Sequence, residues 1–396
     1  MAVNSTSYDY FFNPRVVFGP GSTAKLPEII AGMGDNILIL TGVSSFKKSV
    51  LRDNLYKDLE KRSVKYFEIE VGGEPTTSIV DESADYYRKR IVNTVVSIGG
   101  GSVLDAGKAV SGMIPQQGSV VDYIEGAKRH NGVKVPFIAV PTTSGTGSEA
   151  TKNAVLTRPA ANGLEGFKKS LRHDNLVPDV ALIDPLLTIE CPPEITAACG
   201  MDALTQLIES FVSAESSFLS DAFALKGLEL HAGKALFQAC TDRPDDINIR
   251  SGLAYAAYLS GSSLANAGLG AVHGLAGIIG GAFEIPHGTI CASLLSKVTE
   301  YNIGKLFSGS DHASSRGLEK YSAAGFTLSG RTPSDIKTGC LLLINYLNEL
   351  TSSLNIPEIS DFRLKKNDIE FIAGKAENKN NPVRLGRDDF LKILSA

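Results

Sequence analysis

The stretch VVSIGGGSVLDAGKAVSG, residues 95–112, decides the fold class. It opens as an apolar, β-rich run, turns on three consecutive glycines and continues with helical spacing, so a strand hands over to a helix. A Gly-Gly-Gly-Ser turn lets backbone amides approach a phosphate with no side chain in the way, and a helix starting near Ser102 adds its positive end. The spacing is not the usual G-x-G-x-x-G. A tight turn that binds nothing explains the glycines equally well.

Working outward, four more short runs have the same character: NILIL (36–40), VKYFEIEV (64–71), KVPFIAVP (134–141) and PDVALID (178–184). They are nearly continuous apolar runs, as expected of parallel strands covered on both faces. Stretches with helical periodicity, such as STAKLPEIIAGM and TTSIVDESADYYRKR, separate them. That rhythm predicts an α/β domain with a doubly wound parallel sheet over residues 1–185. Residues 10–18 fit an extra hairpin or edge strand. Beyond Pro185 the pattern changes to Ala-, Leu- and Ser-rich stretches with helical spacing, such as EITAACGMDALTQLIESFVSA and NIRSGLAYAAYLSGSSLANAG. An all-helical domain is therefore expected over 186–396, joined to the first through PLLTIECPP (185–193) with its three prolines.

Composition narrows the function classes. With 396 residues, 43% hydrophobic and 21% charged, the chain is an ordinary globular protein with room for two cores. Its net charge of -4, without a long basic run, argues for small-molecule partners rather than nucleic acid or a membrane surface. The five cysteines (191, 199, 240, 291 and 340) lack any Cys-x-x-Cys pair, which argues against disulfides and a thiolate zinc site. They read as buried thiols in a reducing cytoplasm. No charged and apolar leader opens the chain, and no window holds about 18 uninterrupted apolar residues, so a cytoplasmic location is expected.

A second polar loop, PTTSGTGSEAT (141–151), follows the next apolar run. Two such loops at the ends of consecutive strands strengthen the dinucleotide reading. After NILILT comes Gly42 rather than the acidic residue that binds a ribose 2′-hydroxyl. With Ser44, Ser45, Lys47 and Lys48 nearby, NADP would be tolerated as well as NAD, although these lysines serve equally to solvate a helix start.

In the helical half, GMDALTQLIES (200–210) stacks Asp202 and Gln206 one turn apart on an apolar helix. GAVHGLAGIIGGAFEIPHGT (270–289) carries His273 and His287, each followed by glycine. Two imidazoles and an aspartate make a ligand set for a divalent transition metal such as iron or zinc.

Taken in order, GGGSVLDAGKA, PTTSGTGSEAT, SLRHDNLVPDVALIDP, GMDALTQLIES, AVHGLAG and IPHGTICA resemble the iron-containing (group III) alcohol dehydrogenase family. The resemblance spans the chain. It implies a dinucleotide-binding domain followed by a helical one (a dehydroquinate synthase-like fold), a metal in the cleft between them, and a homodimer or higher homo-oligomer. The two loops and the end of the early strand give Gly42, Gly99, Gly100, Gly101, Ser102, Asp105, Thr142, Thr143, Thr146 and Ser148 as the residues for NAD or NADP, and the resemblance adds Asn153 and Lys168 on the nicotinamide side, with Lys169 as the alternative to Lys168. The family's metal ligands are an aspartate, a histidine four residues later and two further histidines. Asp202, His273 and His287 match and would be the catalytic centre, but the second position is Gln206. Its carbonyl oxygen is a weaker, harder ligand than imidazole. A second departure is Gly277, where many relatives have a histidine that relays a proton.

These assignments imply metal-assisted hydride transfer between nicotinamide and a small alcohol or aldehyde. Lys152 and Asn153 are the candidate substrate residues: Lys152 would pair with an anionic group on the substrate or else be a solvated loop lysine, and Glu377 and Lys379 would lie at the cleft mouth. Two alternatives remain: a metal-independent reductase of the maleylacetate reductase kind, and a non-catalytic nucleotide-binding regulator.

Overall fold

The computed structural model describes residues 8–11, 14–43, 46, 50–159, 166–283 and 285–395. Ser44, Ser45, Lys47 and Lys48 lie outside them. Among the described residues, six strands form one parallel sheet: β1 (Arg15–Phe18), β2 (Asn36–Gly42), β3 (Lys65–Val71), β4 (Thr94–Gly99), β5 (Phe137–Pro141) and β8 (Val180–Ile183). Their order is β1-β8-β5-β4-β2-β3.

Side chains alternate across such a sheet, and here both faces are apolar. Ile37, Ile39, Val96, Ile98, Ile138 and Val140 pack with Leu26 and Ile30 of α1 (Leu26–Met33) and Leu55 and Leu59 of α2 (Val50–Lys61). Leu38, Leu40, Val95, Phe137 and Ala139 pack on the other face with α3 (Thr77–Arg88) and α4 (Gly101–Met113). This two-sided burial accounts for the unbroken apolar runs. The expected extra strand is β1, an edge strand paired in parallel with β8.

An antiparallel ribbon, β6 (Asn153–Arg158) with β7 (Phe167–Arg172), was not expected from the sequence. Ala154, Leu156 and Leu171 turn one face toward the α3/α4 core. FKKSLR therefore commits only one residue to that core, too weak a pattern to read as a strand.

The remaining α-helices among the described residues are α5 (Val120–Ile124), α6 (Pro193–Val212), α7 (Phe218–His231), α8 (Ala235–Cys240), α9 (Ile247–Ala267), α10 (Ala271–Ala282), α11 (His287–Phe307), α12 (His312–Ser329), α13 (Ile336–Ser353), α14 (Lys366–Lys375) and α15 (Arg387–Ser395). Every residue of α6 from Gly200 to Val212 is buried, as expected of a helix surrounded by others. The chain divides into two compact units. One comprises Phe12–Thr143 and Gly147–Cys191; the other comprises Pro192–Ala396 together with Ser144–Thr146 and the segment ending at Phe11. Within the helical unit, Gly145 lies directly against Cys199 of α6. No single helix among the described residues is long and apolar enough to cross a membrane.

Candidate functional site

Helix α6 places Asp202, Gln206 and Glu209 at i, i+4 and i+7, on one stripe, and all three are buried. His273 lies in the first turn of α10, His287 opens α11, and Cys291 follows His287 by one turn. The glycine after each histidine has a packing reason. A side chain on Gly288 would strike the carbonyl of Ala198 on α6, and one on Gly274 would strike the carbonyl of Glu377. Glycine therefore lets α11 come close enough to α6 for His287 to reach Asp202.

The donor atoms of Asp202, His273, His287 and Cys291 all lie within 4.8 Å of one another. His273 Nε2 is 3.4 Å and His287 Nε2 3.8 Å from Asp202 Oδ1, while Cys291 Sγ is 3.8 and 3.6 Å from the same two nitrogens. Tetrahedral bonds of about 2.0–2.3 Å put neighbouring donors roughly 3.3–3.6 Å apart. The observed separations lie at or just above that span.

Hydrogen bonding prepares these donors. His273 Nδ1 is 2.6 Å from Glu209 Oε2, and Glu209 Oε1 accepts from Val272 N at 2.7 Å. A carboxylate only accepts, so Nδ1 carries a proton, and Nε2 faces Asp202 either as a lone pair or, in the imidazolium form, as a second donor. Asp202 Oδ2 accepts from Gln206 Nε2 at 3.0 Å, whereas buried Oδ1 has no hydrogen-bond partner. With Nε2 unprotonated, acceptor faces acceptor across a buried gap, an arrangement that a proton or a metal cation resolves.

Without an ion the group shares protons: burial opposes the charge on His273 but Cys291, Asp202 and Glu209 outweigh it, and Cys291 raises His287 against burial, so both imidazoles are held above their usual range. Burial pushes the Cys291 thiol up, but His287 and His273 more than offset it and hold the pKa below its usual value. Burial likewise opposes ionisation of Asp202, and the two histidines again prevail, leaving its pKa lowered. The residues fit a divalent metal ion.

In the other unit, β2, β4 and β5 are neighbours in register, with Thr41 opposite Ile98 and Gly99 opposite Pro141. Their C-terminal ends therefore bring Gly42, Gly99 and Thr142 to one edge, with Thr142 N donating to Gly99 O at 3.0 Å. Gly100 is the extended N-cap of α4, and no side chain caps this helix. The first-turn amides at Gly101 and Ser102 keep the anion-receptor character of an uncapped helix start, and Thr143 Oγ1 lies beside Gly100.

Residues 13–185 match the profile of the iron-containing alcohol dehydrogenases, and residues 196–396 match that of the C-terminal part of the Fe-containing alcohol dehydrogenase family. The chain belongs to the iron-containing alcohol dehydrogenase family. It is 31% identical to alcohol dehydrogenase 4 of Saccharomyces cerevisiae over 392 residues, covering 97% of each chain. Its fold matches the crystal structure of a 1,3-propanediol oxidoreductase with a TM-score of 0.86 at 27% identity, over 98% of this chain and 99% of the other. It also matches a sulfoacetaldehyde reductase from Bifidobacterium kashiwanohense in complex with NAD+ with a TM-score of 0.85 at 27% identity, over 99% and 98% of the two chains.

This member of the iron-containing alcohol dehydrogenases departs from its sequence-based reading at several residues. Gln206 does not turn its oxygen toward the metal-ligating group: Oε1 accepts from Ser260 Oγ at 2.7 Å while Nε2 holds Asp202. The reverse orientation would face its oxygen to a carboxylate. Cys291, expected to be an inert thiol, joins the donors instead.

Asp105 and Ser148 come together, but Ser148 Oγ donates to Asp105 Oδ1 at 2.5 Å and Val155 N to Oδ2 at 2.9 Å. Lys108 Nζ, buried beside them, lies 2.7 Å from Ser148 O and 2.9 Å from Ser148 Oγ, Thr151 Oγ1 and Asn153 O. These bonds pin the segment that leads from the second loop into β6. Thr146 falls in the piece of that loop that folds with the helical unit. Lys168 Nζ pairs with Glu74 at 2.9 Å and Lys152 Nζ with Asp174 at 2.8 Å.

Glu209 and Cys291 escaped the sequence reading. Their signals were spacings: Glu209 seven residues after Asp202, and Cys291 four after His287.

Proposed function

We propose that this alcohol dehydrogenase interconverts a small alcohol and its aldehyde, using NAD or NADP and a divalent metal ion held by Asp202, His273 and His287. The observation that carries the reading is the unpartnered, buried Asp202 Oδ1 facing two imidazole nitrogens and a thiol. Bound there, such an ion would supply Lewis acidity toward the alcohol or carbonyl oxygen, and a nicotinamide would supply or accept the hydride. Glu209 keeps the His273 proton on Nδ1, so that Nε2 remains a lone-pair donor. Gln206 holds Asp202 by Oδ2 and leaves Oδ1 to the site. His287, with 33% of its side chain exposed, is the ligand nearest solvent.

The uncapped start of α4 receives the cofactor diphosphate, with Gly99, Gly100 and Gly101 letting it approach and Thr142 and Thr143 flanking the turn. The NAD+ complex of the sulfoacetaldehyde reductase supports a nicotinamide cofactor. Asp105, Ser148 and Lys108 shape this region from behind by fixing Asn153 at the start of β6. Lys152 pairs with the exposed carboxylate of Asp174, so the reading rests no substrate selectivity on that lysine.

The test is metal removal. Protein treated with a chelator and freed of it should lose reduction of short aldehydes with NADH or NADPH, and recover it when divalent metal is restored. Undiminished turnover by the metal-free protein would overturn the reading and favour direct hydrogen-bond polarisation by the polar side chains.

A further inference from the structure

We infer that Cys291 supplies the fourth protein ligand as a thiolate, that Gln206 is a lock on Asp202 rather than a ligand, and that the site consequently selects a thiophilic ion, zinc before iron(II). The inference rests on the proposed metal-assisted function and specifies the ion and its shell.

Three observations support it. Both polar atoms of the Gln206 side chain are engaged, one by Asp202 Oδ2 and the other by Ser260 Oγ. Cys291 Sγ stands 3.6 and 3.8 Å from the two histidine nitrogens, spacings suited to donors on one small ion. The thiol is wholly buried on the turn after His287, so α11 contributes its two donors four residues apart.

One oxygen, two nitrogens and one sulfur keep the ligand count at four while replacing an imidazole by a softer donor. Divalent zinc already exceeds iron(II) in affinity for mixed nitrogen and sulfur sites, and thiolate ligation strengthens that order. Binding transfers the thiol proton to solvent, and no redox step is involved.

The experiment uses full-length protein stripped of metal and titrated with Co2+, read by absorption. Wild type should bind one ion with an intense near-ultraviolet sulfur-to-cobalt charge-transfer band. Cys291→Ser should lose that band. Gln206→Leu should keep it while binding the ion about 10–100-fold more weakly, as expected when an outer-shell partner is removed.

Competition between Zn2+ and Fe2+ under anaerobic conditions should favour zinc in wild type and show a narrower preference in Cys291→Ser. A wild-type cobalt complex without the band overturns the inference while leaving metal-assisted catalysis intact. Failure of wild type to bind any ion overturns both. Because the wild-type spectrum alone decides thiolate ligation, misfolding of Cys291→Ser cannot protect the inference.

Discussion

Glu209→Gln isolates the hydrogen bond that prepares His273. Glu209 is buried, with 6% of its side chain exposed, and its two oxygens accept from different donors: His273 Nδ1 at 2.6 Å and Val272 N at 2.7 Å. Glutamine has one oxygen and one NH2 group. If the oxygen stays with Val272, the NH2 group meets Nδ1, the imidazole proton moves to Nε2, and His273 ceases to be a ligand. If the amide turns over, the NH2 group confronts the Val272 N–H, and a buried donor is left facing a donor at a cost of about 1–3 kcal/mol. Either outcome weakens the site, and replacements at this kind of position lower metal affinity by about 10–100-fold. That corresponds to roughly 1.4–2.8 kcal/mol. Competition for Zn2+ against a chromophoric chelator at neutral pH measures the change directly. Unaltered affinity in folded Glu209→Gln would refute the assignment of Glu209 as the partner that fixes the tautomer.

Two further substitutions test the α/β unit. Buried Glu149 has its pKa pushed up to about 7, chiefly by desolvation and against the opposing charge of Lys108. The native state therefore binds more protons than the unfolded chain between the ordinary glutamate range and about pH 7. The stability linked to this group is present below the unfolded pKa and lost as pH rises through the folded one. Glu149→Gln should gain on wild type as pH rises from 5 to 8, by about 3 kcal/mol at most. Urea midpoints at the two pH values check this, and a constant offset between the proteins would contradict it. Lys152 is balanced by Asp174, so Lys152→Ala should change kcat/KM for neutral and anionic short aldehydes by the same factor. A loss confined to the anionic substrates would return Lys152 to substrate recognition.

The sheet was legible because its chemistry is local: a strand buried on both faces must be apolar at successive positions, and Leu38 and Ile39 serve opposite cores. The β6–β7 ribbon was not, because few of its residues face a core and β7 mixes Leu171 with Lys168, Lys169 and Arg172. At the site, Asp202, His273 and His287 stood out as polar groups in apolar helices. The functions of Asp105 and Ser148 did not, since their mutual hydrogen bond joins residues 43 apart, on separate elements.

The ligand shell shows most clearly why spacing alone falls short. Two helices each offer a polar pair one turn apart, Asp202 with Gln206 on α6 and His287 with Cys291 on α11, and sequence periodicity treats them alike. Which second member joins the donor group depends on how α11 is rotated and how closely it approaches α6. Gly288 against the Ala198 carbonyl permits that approach, while Ser260, from α9, holds the Gln206 oxygen away. Neither contact is local in sequence. In the proposed shell a sulfur from a neighbouring helix takes the place of the imidazole missing at position 206, and the amide left at 206 serves the same site by holding Asp202.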